Sequence, residues 1–309
     1  MPSEGKNLSD SRGNSLGIGF FKCCMLLFGQ RFCAAMVWFV AAFYALFDTT
    51  AFNAARPYLH GRFPDAGYLR LRWLFYRMAV AQGQVIVLAH WLRTGHSVPI
   101  KEYDKDILYD LLTKGQSGLI LLISHAGCWQ AALTYLESFG RPINLLQQAN
   151  RNGNIAGMLK GNLLKAIDND GPFGGLLECM SAIEKGEIVC IMGDRQPHSS
   201  ESSISMSFNG QLLDVPESPW LIAARCRCPI VPVFTMMTGL ASGIDFYFRR
   251  PISVVYDSPR KPRPEHFAPC VAQYATALEE LSAKFPFQIF HYQTNRETWT
   301  KKQHNSERN

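Results

Sequence analysis

Two short stretches end in side chains able to move a proton or hold a charge. The run GLILLIS, residues 118–124, leads into His125, and Gln130 follows five residues later. The run EIVCIMGD, residues 187–194, ends in Asp194 and continues to Arg195. An imidazole can take a proton from a hydroxyl and return it to a leaving group, provided a neighbour fixes its tautomer and orientation. Asp194 and Arg195 read either as an ion pair that fixes a loop or as a site pair. Cys128, three residues after His125, admits a thiol nucleophile, and a buried helix cysteine is the plainer reading.

The elements that must position these groups follow from periodicity. Both runs are short, apolar and bounded by Gly, as buried strands are. INLLQQ at 143–148, PIVPVFT at 229–235 and DFYFRRPISVVY at 245–256 read as further strands. Helices are expected over Leu71–Trp91, 128–139 (stopped at Gly140 with Pro142 behind), 174–185 and within Pro264–Lys284. Alternating strands and helices imply an α/β fold with a mainly parallel central sheet flanked by helices. Ligands of such sheets gather beyond the carboxyl ends of the strands, so His125 and Asp194 should face one cleft. A helix beginning near Gly127 should add free N–H groups there, which makes Gly127 a candidate for substrate binding.

Composition narrows the class. The chain has 309 residues, 47% of them hydrophobic, and a formal net charge of +6, which excludes global disorder. It has no G-x-S-x-G elbow, no P-loop and no H-E-x-x-H motif. Nine cysteines without a C-x-x-C pair suit reduced thiols in a cytoplasmic setting. Five Arg and one Asp lie between Arg56 and Arg77, among Tyr58, Phe63, Tyr68, Trp73, Phe75 and Tyr76. Arg among aromatics suits an anionic membrane surface, phosphate groups or an acidic carrier protein, and no nucleic-acid recognition motif accompanies it. A second basic cluster, Arg249 to Arg263, reads equally as a solvated face. CAAMVWFVAAFYALF, residues 33–47, runs 15 residues without a charge. It reads as an interfacial helix, a short spanning anchor or a core helix; the Arg-aromatic region behind it favours membrane attachment. The expected organisation is a polar tail over 1–16, a membrane-associating helical region over 17–59, an α/β domain over 60–299 and a polar tail over 300–309.

In these residues the chain resembles the bacterial lipid A biosynthesis acyltransferases, the lauroyl/myristoyl branch of the lysophospholipid-acyltransferase-like proteins, and their relatives. That family carries His, four residues, then Glu or Asp at a strand-to-helix turn. His125 matches, and Gln130 stands where the acid belongs; the resemblance implies that its carbonyl orients the ring, while Glu137 or Asp194 would have to supply the charge that stabilises an imidazolium. KGEIVCIMGDRQP, then SMSFNGQLLDVPESPWLIAARCRCPIVPVF, then FPFQIFHYQTNRETW recur in the family's order, and the similarity covers most of residues 20–299. The resemblance implies transfer of a fatty acyl chain from an acyl carrier protein thioester, or from acyl-CoA, to a lipid hydroxyl at the cytoplasmic face of the inner membrane. It implies no metal or cofactor. It makes His125 the general base, Arg195 and the N–H groups near Gly127 candidates to hold an oxyanion or phosphate, Asp194 the group that orients Arg195 or the acceptor, and Asn150 and Arg151 acceptor-side contacts. The alternatives are a non-catalytic lipid-binding relative that lost the acid, and a thiol-dependent acyl hydrolase using Cys128.

Overall fold

In the computed structural model, the described residues are 15–115, 117–147, 163–170, 172–195, 202–256 and 262–290. The apolar run at 118–124 forms β2 (Leu119–Ile123), with all five residues buried. β5 (Ile188–Met192) pairs beside it in parallel, Ile123 opposite Met192. β8 (Ile230–Thr238) pairs in parallel on the other side, and β3 (Ile143–Gln147) follows β5. The seven-stranded sheet also contains β1 (Ile100–Tyr103), β4 (Leu164–Asp168) and β9 (Gly243–Phe248), in the order β1-β9-β8-β2-β5-β3-β4. All its neighbours are parallel except β8 and β9. This is the expected α/β fold with a mainly parallel sheet.

Helices cover both faces. α5 (Trp129–Leu136) places Tyr135 against Phe246 and Phe248 of β9. α8 (Pro264–Lys284) covers the opposite face, where Tyr274 stacks on Phe234 of β8. α4 (Lys105–Lys114), α6 (Leu176–Glu184) and α7 (Ser218–Cys226) complete the α/β layers. A separate hairpin, β6 (Ser203–Phe208) and β7 (Gln211–Pro216), turns at Asn209-Gly210, both at positive φ. Such a two-residue turn matches the strand twist. The hairpin is tied to α8, where Glu279 accepts the Asn209 N–H at 2.6 Å.

Among the described residues, three helices precede the sheet: α1 (Ser15–Phe47), α2 (Thr49–Arg62) and α3 (Tyr68–Arg93). α1 extends well beyond the apolar segment 33–47, with a kink at Gly29. Gln30, just past the kink, is buried. α1 is stitched antiparallel to α3. Gln84, Tyr76 and Arg72 donate to the carbonyls of Ala34, Trp38 and Ala45 at 3.1, 3.1 and 2.9 Å. Its other face is bare: Phe28, Phe32, Phe39, Phe43 and Leu46 recur at helical spacing, and all are exposed.

Candidate functional site

The parallel pairing of β2 with β5 puts the residues just after both strands side by side, and this adjacency builds the site. Asp194 is 2% exposed and receives two bonds from His125. Its Oδ1 lies 2.9 Å from the ring Nδ1, and its Oδ2 accepts the His125 backbone N–H at 2.7 Å. A carboxylate has no proton to give, so Nδ1–H donates, and among the described residues Nε2 has no partner. The His125 side chain remains 33% exposed, which leaves the ring within reach of a ligand.

The turn that carries His125 requires a glycine. Gly127 has φ +54, and a Cβ there would lie 1.9 Å from the Thr235 carbonyl oxygen. Its N–H donates to the Gln288 carbonyl at 2.8 Å, and the Cys128 N–H donates to the Thr235 carbonyl at 2.8 Å. The expectation of a free N–H at Gly127 is therefore corrected: that group already has a partner within the fold. Trp129 and Gln130, in the first turn of α5, carry the N–H groups that a helix start leaves over.

Gln130 does not hold the ring. Its carbonyl oxygen is buried without a hydrogen-bond partner among the described residues, and the orienting contact comes from Asp194. A residue five positions along the chain lies one turn into α5, whereas Asp194 arrives from the neighbouring strand. Arg195 is exposed and donates to the Phe290 carbonyl at 3.1 Å, while Asp194 bonds His125. Asn150 and Arg151 lie outside the described residues.

Behind the pair, the buried Tyr274 phenol is pushed well above its ordinary range, first by burial and then by the Asp194 charge. Sequence reasoning missed Tyr274, since nothing in the pattern of α8 separates it from core aromatics. Cys128 is fully buried, and burial pushes its thiol up to about 12. A nucleophilic cysteine needs a thiolate and access, and Cys128 has neither at neutral pH. Among the described residues, no group of three or more His, Cys, Asp or Glu is placed to hold a metal ion. A surface cavity of about 430 Å³ lined by Asp104, Phe248, Arg249 and Glu280 contains none of these site residues.

A family model described as bacterial lipid A biosynthesis acyltransferase matches residues 75–257, more than half of the chain, and the match includes both His125 and Asp194. No curated protein matches the chain.

Proposed function

The chain belongs to the bacterial lipid A biosynthesis acyltransferase family, and from that premise we propose that it moves a fatty acyl chain from a thioester to a lipid hydroxyl, with His125 as general base. The single observation that carries the reading is the His125–Asp194 pair at the carboxyl ends of two adjacent parallel strands. Nε2 takes the proton of the acceptor hydroxyl as its oxygen attacks the thioester carbonyl carbon. Asp194 stabilises the imidazolium that forms. When the tetrahedral intermediate collapses, the C–S bond breaks and the imidazolium returns the proton to the departing thiolate. The N–H groups that open α5 and the Arg195 guanidinium are the donors available to the developing oxyanion.

The donor is an acyl carrier protein or CoA thioester, and the protein works at an anionic membrane surface, the cytoplasmic face of the inner membrane. Support for attachment comes from α1. Its apolar stretch Phe21–Phe47 is 27 residues long, and only 33% of its most apolar portion is buried. A core helix would not leave Phe39 82% exposed and Leu26 86% exposed. The bonds from α3 hold the opposite face of α1 against the protein, which favours a helix lying in the interface over a free-standing span.

Mass spectrometry of lipids from cells with and without the protein, joined to acyl transfer by purified protein from each donor, tests the reading. A lipid heavier by one acyl chain only when the protein is present is the expected result. Turnover with neither donor, by protein that still binds acyl lipid, would favour the non-catalytic relative.

A further inference from the structure

The segment 285–290 lies across the turn that carries His125 and meets it in a single bridge. Ala126 and Ile289 form an antiparallel bridge. Gly127 N–H donates to the Gln288 carbonyl at 2.8 Å, and Phe290 N–H donates to the His125 carbonyl at 3.0 Å. The Gln288 side chain then behaves like a second peptide group. Its Oε1 accepts the Met237 N–H at 2.9 Å, and its Nε2 donates to the Met237 carbonyl at 2.8 Å. One residue thus ties β8 to the turn through its side chain and its main chain together.

The outer end of the segment is gripped by the N-terminal helices. Tyr58 of α2 donates to the Pro286 carbonyl at 2.8 Å, and Arg77 of α3 sits 4.1 Å over the Phe287 ring. Arg195 holds the Phe290 carbonyl. The main chain of His125 is thereby fixed on one side by Asp194 and on the other by Phe290.

We propose that Gln288 is a positioning residue for acyl transfer: its amide, bonded to Met237, sets the register of the strap that holds His125 in line with the reacting hydroxyl. This rests on the reading of His125 as the base. A shift of about 1 Å at a catalytic group can cost about 10²-fold in rate, while ground-state binding elsewhere is left intact. Gln288→Met keeps length and approximate volume and removes both bonds to Met237.

The test measures kcat and KM for this variant, per mole of folded protein, in the wild-type and in the His125→Ala background. The expected result is a kcat lowered at least tenfold with KM within twofold, and less than a twofold effect on the residual rate once His125 is absent. An equal loss in both backgrounds would show a merely structural role and overturn the proposal. A folded Gln288→Met protein with kcat within twofold of wild type would also overturn it, even if His125→Ala has lost activity. A fully active His125→Ala protein would instead remove the underlying reading of the base. Should Gln288→Met fail to fold, Tyr58→Phe decides. It removes only the hydroxyl bond to Pro286, is expected to lower kcat threefold or more with the same dependence on His125, and overturns the proposal if kcat does not change.

Discussion

Replacing Asp194 by Asn tests the division of labour in the site most sharply. The carboxylate accepts two N–H groups, the ring Nδ1–H at 2.9 Å and the His125 backbone N–H at 2.7 Å. An amide offers one acceptor and one donor. The backbone N–H cannot change its character, and leaving it against an NH₂ group in a site 2% exposed costs about 1–3 kcal/mol. The amide oxygen therefore turns to the backbone, and its NH₂ faces the ring. The ring must then accept at Nδ1 and carry its proton on Nε2, the nitrogen that should take the substrate proton. The charge that stabilised the imidazolium is lost as well. The same exchange in serine proteases costs on the order of 10⁴ in rate. The expected fall here is about 10³–10⁴ in kcat, or roughly 4–5.5 kcal/mol. Initial rates of acyl transfer by detergent-solubilised protein, with thermal unfolding to confirm a native fold, provide the measurement. A folded Asp194→Asn protein keeping more than about a tenth of wild-type kcat would refute the reasoning.

Other outcomes follow from the same geometry. Gln130→Glu should not raise kcat, because Asp194 already supplies the charge; a gain of tenfold or more would show that the charge was missing. Cys128→Ser should retain full acyl transfer, and an acyl chain trapped on Cys128 would contradict that. Burial raises the Cys128 and Cys190 thiols from 9.0 to about 12. A folded-state value above the unfolded one favours the native state below about pH 9, and that advantage is lost as pH rises towards 12. Denaturant titrations should therefore show falling stability across that window, and iodoacetamide at pH 8 should label Cys128 only after unfolding. Phe39→Glu with Phe43→Glu removes two exposed aromatics from α1, each worth about 1.5–3 kcal/mol when buried in an apolar phase. Liposome flotation should show the double variant largely released, and unchanged flotation would remove α1 from the contact.

The central strands were legible because burial on both faces writes continuous apolar runs such as LILLI and IVCIM. α8 was legible from Pro264 at its start and its 3.6-residue pattern. β1 and β4 were not. IKEY and LKAID are edge strands with exposed residues, so neither run is apolar throughout. The hairpin at 203–216 carries alternation, but its polar face hides it among loops. His125 and Asp194 were both legible as strand-end residues on one side of the sheet. Their direct bond was not, because it depends on β5 lying next to β2, a fact of sheet order with no local signature. Gln130 drew attention through chain spacing, whereas the ring is met from across the sheet. Gln288 lay within a recognised closing segment, but a side chain that mimics a peptide group leaves no mark in composition.

The most direct test of the account is the acyl-transfer rate of purified His125→Ala beside wild type, with an acyl carrier protein thioester as donor and total lipid from the native membrane as acceptor. The expected result is a fall of about 10³ or more, from loss of the base and of the proton return it provides. Equal rates in two equally folded proteins would contradict it.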